Sequence, residues 1–232
     1  MIEDPPLLTI RSDFARPAAE AVAALGATPS GHLVDALGGH GALDYRIKPV
    51  TEGPPAAHAF CGVALTCDCG PADNLAVFAA LEALRPGDII VAATDAFTGC
   101  AVVGDLVLGM ARNAGAIAFV TDGLARDLDG IEGVAMPVFC RGVSPNSPAR
   151  NGPGTLGLPV TLGGVTVASG DLVAGDRDGV VVVPRARIDE VIQALAGIRE
   201  AETALEAKVK AGLTVPDFVQ DLLGSGRVRR LD

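Results

Sequence analysis

Two apolar runs on either side of one helical segment constrain the fold of this chain more than any other feature. Residues 88–94 (DIIVAAT) and 116–121 (AIAFVT) are continuous apolar segments, which is the pattern of strands buried on both faces. Between them, residues 104–115 (GDLVLGMARNAG) have the pattern of a helix that Gly115 ends. A strand, a helix and a second strand in this order form a βαβ unit, so we expect the two strands to be parallel.

Further elements are predicted on both sides of this unit. The predicted strands are YRIKPV (45–50) and AFCGVALTC (59–67). The predicted helices are 12–25, a short helix with Ser30 as its N-cap, 73–84 with Asp73 as its N-cap, and 185–212 with Gly212 as its stop. These elements predict a single α/β domain over residues 1–232, with an N-terminal arm at 1–30 and a C-terminal helix and tail at 185–232.

The segment 143–183 differs from the rest, because its short apolar runs are separated by glycine turns, and we predict that it is all-β. Within it, residues 152–157 (GPGTLG) match the pattern G-x-G-x-x-G of dinucleotide sites. No predicted strand precedes this match and no predicted helix follows it, so the context of such a site is missing. We therefore predict a loop at 152–157.

Composition restricts the possible partners. The 232 residues carry a net charge of −10, with a pI near 4.7, and 3% of them are aromatic. This acidic balance argues against nonspecific binding to nucleic acid or to an anionic membrane. The first ten residues lack the apolar segment of a signal peptide, and no apolar run reaches the length of a membrane span, so we expect a cytoplasmic protein.

Five cysteines, an odd number, indicate reduced thiols. Cys67 and Cys69 form a C-x-C sequence, but the chain lacks the paired C-x2-4-C or histidine partners of a structural zinc site. We expect a structural or incidental role for the thiols.

The loops that follow the two strands of the βαβ unit contain the candidate site. Ligands of an open parallel sheet bind beyond the carboxyl ends of its strands. The first loop leads into a helix whose backbone N–H groups, from Gly104 to Val107, are expected to be free to bind a carboxylate. The second loop brings Arg126, which can bind a carboxylate or an enolate oxygen, and Asp127, which can bind a hard cation through one oxygen. Asp105 adds a second carboxylate. The alternative is that Asp105 only favours the helix dipole and that Arg126 and Asp127 form a surface pair of little energetic value.

A carboxylate also falls on the apolar stripe of the C-terminal helix. The stripe consists of Ile188, Val191, Leu195, Ile198, Leu205 and Val209. Glu202 lies on it between Ile198 and Leu205, and a buried carboxylate requires a partner. A neighbouring subunit would supply one; the alternative is a charge at the rim of an interface that reaches water.

Asp105, twenty intervening residues, and then Arg126 and Asp127 reproduce the D-x20-R-D motif of class II pyruvate aldolases. Over roughly residues 28–215 the chain resembles the 4-hydroxy-4-methyl-2-oxoglutarate / 4-carboxy-4-hydroxy-2-oxoadipate aldolase family, which also includes regulators of RNase E activity. The segments that carry the resemblance are DNLAVFAALEALRPGDIIV, GDLVLGMARNAGAIAFVTDG, PVFCRGVSP and SGDLVAGDRDGVVVVP.

The resemblance implies a swivelling β/β/α fold, as in phosphohistidine domains, with homotrimers or hexamers and sites at subunit interfaces. Asp127 would bind Mg²⁺ or Mn²⁺ largely through water, and Arg126 would bind the keto or enolate oxygen. Backbone amides near Gly104, Asp105 and Leu106 would bind the carboxylate. Asp105 would also orient a water that carries protons, and Glu202 matches a glutamate that the family takes from the C-terminal helix of a neighbouring subunit.

The implied function is metal-dependent aldol cleavage of a 4-hydroxy-2-oxo acid, of the 4-hydroxy-4-methyl-2-oxoglutarate type, to pyruvate and a second oxo acid. Decarboxylation of oxaloacetate would be a side activity. One alternative is a non-catalytic regulator that binds an RNA-processing enzyme, as an RNase E inhibitor does. Another is a lyase that acts on a sugar acid or a 3-keto acid with the same site. The expected partners are an oxo-acid substrate and further copies of the chain, without nucleic acid or membrane.

Overall fold

The computed structural model describes residues 6–26, 28–54 and 57–231 of the protein. The strands in this part of the chain are β1 (Leu8–Ile10), β2 (Lys48–Pro49), β3 (Phe60–Asp68), β4 (Asp88–Ala93), β5 (Ala101–Val103), β6 (Ala118–Thr121), β7 (Leu124–Ala125), β8 (Val138–Cys140), β9 (Gly154–Leu156), β10 (Val160–Leu162), β11 (Val165–Val167), β12 (Leu172–Asp176) and β13 (Gly179–Val183). The helices are α1 (Ala19–Leu25), α2 (Ser30–Ala36), α3 (Leu75–Ala83), α4 (Asp105–Asn113), α5 (Leu128–Val134), α6 (Ile188–Lys210) and α7 (Asp217–Gly224).

A mixed sheet forms the centre of this α/β fold. Its strand order is β1-β9-β3-β4-β6-β8-β2, and β12 and β13 join it beside β3. The neighbours β4 and β6 are parallel, with Ile90 opposite Phe119. The prediction of a parallel βαβ unit is therefore confirmed, with α4 as its helix.

Both faces of the sheet are covered, which explains the continuous apolar runs. On one face, Ile90 and Phe119 pack in a cluster with Leu108 of α4. On the other face, Ile89 and Val91 pack in a second cluster that includes residues of β10 and β12. All six residues of β4 are buried as a result.

The N-terminal segment differs from the prediction of a helix at 12–25. The helix α1 begins only at Ala19, and residues 8–10 form β1, which pairs in parallel with β9. Pro17 disfavours a helical backbone at Arg16. The Arg16 guanidinium also forms a two-pronged ion pair with the buried Asp88 carboxylate, in which Nη2 lies 2.9 Å from Oδ2.

The segment 143–183, all of which the structure describes, contains five short strands and no helix, as predicted. The prediction of a loop at 152–157 was wrong, because Gly154–Leu156 form β9 between β1 and β3. A Cβ atom on Gly154 would lie 2.9 Å from the carbonyl oxygen of Asp68, so the glycine permits a close approach of the two strands. No helix follows β9 directly, and the context of a dinucleotide site is therefore absent from this described segment.

Two helix starts differ from the prediction by one residue. The N-cap of α2 is Pro29, and Ser30 is the first helical residue, whose N–H donates to Oδ2 of Asp176 at 2.8 Å. The N-cap of α3 is Asn74, while the preceding Asp73 accepts a hydrogen bond from the Leu75 N–H. In both places a carboxylate binds the exposed donors of the first turn, but not from the N-cap position.

The long C-terminal helix α6 follows a 3₁₀ turn at 185–187 and ends before Gly212, where the backbone φ is +97°. The apolar stripe is buried only in its first part, at Ile188, Val191 and Leu195. Every residue from 199 to 212 is exposed, so the outer half of α6 extends beyond the body of the chain. No helix of the described residues is long and apolar enough to cross a membrane.

Candidate active site

Two short parallel strands bring the ends of two loops together. The strands β5 and β7 form a small sheet of their own, and the chain continues from β5 into Gly104 and from β7 into Arg126. The N–H of Arg126 donates to the carbonyl of Val103 at 3.1 Å. The backbone therefore fixes Arg126 beside the start of α4. This pairing also explains the apolar residues before Gly104, which lie in a buried strand and not in a loop.

An open cavity of about 290 Å³ lies at this junction. Six of the seven candidate residues line it, namely Gly104, Asp105, Leu106, Val107, Arg126 and Asp127. The remaining lining residues are Asn74, Phe78, Val102, Val103, Met110, Ser147, Pro148 and Arg150. The two loops that follow the βαβ strands thus meet around one space, where the sequence predicted that they would meet.

Gly104, the N-cap of α4, is in close contact with the residues of the second loop. A Cβ atom at this position would lie 2.6 Å from Oδ2 of Asp127 and 3.2 Å from Nε of Arg126. Asp127 has a left-handed backbone, with φ 63° and ψ 51°, and is itself the N-cap of α5. Aspartate tolerates this conformation better than most residues, so the local backbone directs the Asp127 carboxylate toward the start of α4.

Two polar contacts hold the Arg126 guanidinium. Nη1 donates to Oγ of Ser147, and Nε lies 3.2 Å from Oδ2 of Asp127. Nη2 donates to no protein atom in the described part of the chain. The side chains of Arg126 and Asp127 are 33% and 48% exposed, so the pair contributes little to stability. The contacts orient the fork and leave one nitrogen for a ligand.

The side chain of Asp105 occupies one of the backbone amides that were expected to bind a carboxylate. Its Oδ1 accepts a hydrogen bond from the N–H of Leu106 at 2.7 Å. The expectation of free amides from Gly104 to Val107 is therefore wrong at Leu106. The reason is the short side chain of Asp105, which binds the backbone of the first helical turn.

Sequence reasoning missed Ser147, which binds Arg126, and two further polar residues of the cavity. Asn74 is 3% exposed; its Nδ2 donates to the carbonyl of Val102 at 2.9 Å, and its buried Oδ1 has no partner among the described residues. The Arg150 guanidinium lies 4.9 Å from the centre of the Phe78 ring. The cavity therefore contains a second arginine and an unpaired carbonyl acceptor. The two residues come from distant parts of the chain, and their spacing in the sequence carries no signal.

Glu202 does not line the cavity of its own chain. Its Oε2 lies 2.5 Å from Nε2 of His32, so α6 is bound to α2 at this point. The Glu202 side chain is 63% exposed, and His32 supplies its partner from the same chain.

The carboxylates of the cavity fit only one kind of metal site. No group of three or more His, Cys, Asp or Glu side chains in the described residues could hold a metal ion. Asp105 and Asp127 both line the cavity, and the Asp127 side chain is about half exposed. Mg²⁺ retains several waters and binds through one or two carboxylates together with substrate oxygens. The residues therefore fit a hydrated hard cation and do not form a cage of protein ligands.

All five thiols are free, and four of them are buried. Burial raises the pKa of Cys61 to about 11 and that of Cys69 to about 12. A protonated thiol is a poor nucleophile. None of the five cysteines lines the cavity, which agrees with a structural or incidental role.

The part of the chain that contains the cavity is similar to known proteins. Residues 30–182 match the RraA-like family, described as Aldolase/RraA. A protein of Halalkalibacterium halodurans named "Putative 4-hydroxy-4-methyl-2-oxoglutarate aldolase" is 39% identical over 167 residues, which are 71% of this chain and 77% of that protein. The matched family segment contains every residue that lines the cavity and excludes Glu202.

Two solved structures share the fold. An uncharacterized protein from Pseudomonas syringae pv. tomato superposes with a TM-score of 0.74 at 25% identity, over 87% of this chain and 97% of that chain. Streptomyces coelicolor RraAS2, described as an unusual member of the RNase ES inhibitor RraA protein family, has a TM-score of 0.71 at 28% identity, over 83% of this chain and 100% of that chain.

Proposed function

Because this chain belongs to the RraA-like aldolase family, we propose that it is a divalent-metal-dependent lyase. It cleaves a 4-hydroxy-2-oxo acid, of the 4-hydroxy-4-methyl-2-oxoglutarate type, to pyruvate and a second oxo acid. The observation that carries the proposal is the cavity that joins the start of α4 to Arg126 and Asp127. It combines the first turn of α4, the Nη2 atom of Arg126, which has no partner among the described residues, and the half-exposed carboxylate of Asp127.

The half of the substrate that becomes pyruvate binds at the start of α4. The helix dipole and the N–H groups of the first turn other than that of Leu106 attract its carboxylate. Nη2 of Arg126 donates to the keto oxygen, where negative charge develops as the enolate forms. Asp127 would hold the Mg²⁺ or Mn²⁺ ion, which supplies Lewis-acid polarisation of the same oxygen when bound.

Asp105 moves the proton in this proposal. Through a water, it accepts the proton of the hydroxyl group at C4 while the bond between C3 and C4 breaks. The electron pair of that bond passes to C3 and forms the enolate of pyruvate, and the C4 oxygen becomes the carbonyl of the second product. The same proton then returns to C3. Oxaloacetate loses CO₂ to form the same enolate, which then takes a proton from water at C3, so we expect a decarboxylase side activity.

Arg150 and Asn74 support a substrate with a second carboxylate. The Arg150 guanidinium, stacked on Phe78, supplies positive charge for the carboxylate of the departing oxo acid. The unpaired Oδ1 of Asn74 accepts a hydrogen bond from a substrate donor, such as the C4 hydroxyl group.

We also propose the swivelling β/β/α arrangement and a homotrimer or hexamer that shares its sites between subunits. Glu202 lies outside its own cavity, on the exposed half of α6. An exposed helix with Leu205 and Val209 on its surface is suited to contact a neighbour, and this contact would bring Glu202 to that subunit's site.

A second candidate is a regulator that binds an RNA-processing enzyme. The similarity to RraAS2 favours it. This function uses a surface and not a cavity, so it predicts neither metal dependence nor turnover of oxo acids.

The test measures pyruvate release from oxaloacetate and from 4-hydroxy-4-methyl-2-oxoglutarate. The protein is dialysed against EDTA and then assayed with EDTA, Mg²⁺ or Mn²⁺. We expect no turnover in EDTA and full recovery with metal, because Asp127 alone binds the ion weakly. Turnover in EDTA after dialysis would contradict the metal-dependent mechanism, and failure to release pyruvate from either acid would favour the regulator.

A further inference from the structure

Gly130 lies in α5 one turn after Asp127 and is in close contact with Asp105. Its φ is not in the left-handed region, so the backbone at this position would accept other residues. A Cβ atom built on Gly130 would overlap Oδ2 of Asp105 and would lie 2.7 Å from its Cγ and 2.6 Å from its Cβ. Glycine is therefore required at position 130 because a larger residue would collide with Asp105, and not because of the backbone dihedral angles.

The neighbouring glycines have no such requirement. Gly133 lies in the same helix and Gly109 in α4, and a Cβ on either would meet no atom of the described residues within 4 Å. Glycine inside a helix is unfavourable relative to alanine. Gly133 and Gly109 have no contact that offsets this cost, whereas Gly130 has one with a residue of the candidate site.

Rotation of the Asp105 carboxylate would not relieve a side chain at position 130. The Cβ atom of Asp105 is itself within 2.6 Å of the added atom, and Cβ does not move when χ1 changes. Either α4 and α5 must separate or the start of α4 must turn. Both movements displace the carboxylate, whose Oδ1 now lies 2.7 Å from the N–H of Leu106.

The contact between α4 and α5 is reciprocal. Gly104 at the start of α4 accommodates Asp127 from the start of α5, and Gly130 of α5 accommodates Asp105 of α4. Each helix thus contributes one aspartate and one glycine. Because neither glycine has a side chain, each leaves space for the carboxylate of the other helix.

We propose that Gly130 is a positioning residue for the reaction and acts through Asp105. The proposal rests on the proposed function, in which Asp105 moves a proton. Gly130 itself does not line the cavity and makes no contact with substrate in this scheme. A group that transfers a proton must be held to within about 0.5 Å, and a displacement of about 1 Å costs roughly a hundredfold in rate.

The experiment compares Gly130→Ala with Gly133→Ala, which makes the same change in the same helix. Pyruvate release from 4-hydroxy-4-methyl-2-oxoglutarate is measured with Mg²⁺, because this acid carries the C4 hydroxyl group whose proton Asp105 moves in the proposed function. For Gly130→Ala we expect kcat to fall by about 30- to 100-fold and KM to change by less than about threefold, because Arg126 still binds the substrate. For Gly133→Ala we expect both values to stay within about twofold of wild type, with a higher melting temperature.

A double-mutant cycle with Asp105→Asn separates positioning from a general structural effect. If Gly130 acts through Asp105, Gly130→Ala lowers kcat by less than about threefold in the Asp105→Asn background. An equal loss in both backgrounds, or a Gly130→Ala enzyme as active as Gly133→Ala, would overturn the proposal while the lyase function stands.

Thermal unfolding gives a readout that does not depend on turnover. We expect Gly130→Ala to melt below Gly133→Ala, because only the first change creates a steric conflict. Equal melting temperatures would show that the contact is absent and would overturn the proposal. If the wild type releases pyruvate from neither acid, the proposed function fails and the role of Gly130 in catalysis fails with it.

Discussion

Replacing Arg126 with lysine keeps the positive charge and removes the planar fork. In the structure, Nη1 and Nε of Arg126 are occupied by Ser147 and Asp127, and Nη2 is left for the substrate. An ammonium group has one nitrogen at the end of a flexible chain and cannot occupy these three positions at once. Arg126→Lys should therefore remove the donor to the keto oxygen even where its charge remains in the cavity.

The size of the effect follows from the role of that donor. Loss of one donor to a developing oxyanion costs about 2.7–4 kcal/mol, or about 10²–10³ in kcat. The ion pair with Asp127 is exposed by one third to one half, so the free energy of unfolding should change by less than about 1 kcal/mol. In a chain of this size such a change moves the melting temperature by no more than about 4 °C.

The assay couples pyruvate release from oxaloacetate to lactate dehydrogenase, and thermal unfolding is measured on the same preparations. Arg177→Lys is the matched control, because Arg177 is exposed and does not line the cavity. A kcat for Arg126→Lys within about threefold of wild type would refute the reasoning and would reduce Arg126 to a surface charge. A large fall in melting temperature would show instead that Arg126 supports the fold.

Three other predictions test the shared site, the second carboxylate and the partly buried thiol of Cys61. Glu202→Gln and Asp127→Ala chains should each be inactive, and activity should return when the two are reversibly dissociated and then mixed. If mass spectrometry shows mixed oligomers and these stay inactive, the result would contradict a shared site. Arg150→Met should lower kcat/KM for 4-hydroxy-4-methyl-2-oxoglutarate by about 10- to 100-fold relative to 4-hydroxy-2-oxopentanoate, which lacks the second carboxylate. The reason is that hydrogen bonds to charged groups contribute about 1.5–3 kcal/mol. An equal loss with both acids would contradict this role of Arg150. Burial raises the pKa of Cys61 to about 11, so the folded chain retains a proton that the unfolded chain loses near pH 9. The free energy of unfolding, measured by urea titration, should therefore fall from about pH 9 to pH 11. If the Cys61→Ala variant shows the same fall as wild type, the prediction is contradicted.

The βαβ unit was predictable because its signals are local. Continuous apolar runs mark β4 and β6, and Gly115 marks the end of the helix between them. The strand ends then place Arg126 near Gly104 without any knowledge of the rest of the chain. This part of the site follows from the order of elements and from the rule that ligands bind beyond the carboxyl ends of strands.

The pairing of β1 with β9 was not predictable in the same way. Leu8 pairs with Gly154, and nothing near either residue in the sequence indicates the other. The glycines and proline of 152–157 favour a turn when taken alone. Only the close approach to the neighbouring strand, at the carbonyl of Asp68, shows that glycine serves a strand at this position.

The helix α5 was missed for a related reason. Its sequence, LDGIEGV, contains two glycines in seven residues and therefore has a weak helical signal. One of these glycines is required by Asp105, a contact that no periodicity reveals. The partners of Glu202 were equally out of reach, because the stripe pattern indicates that a helix face has a partner but does not identify His32.

The left-handed backbone of Asp127 has a consequence for engineering this chain. Glycine adopts that conformation at no steric cost, so a procedure that selects only for resistance to heat is expected to prefer Asp127→Gly and to discard the carboxylate. Ala135, at the opposite end of α5, has nearly the same dihedral angles and does not line the cavity. The exchange Ala135→Gly should therefore improve heat resistance without loss of turnover. A library of variants selected for heat resistance alone is therefore expected to carry glycine at both ends of α5, whereas a library selected for turnover should keep Asp127 and carry glycine only at position 135.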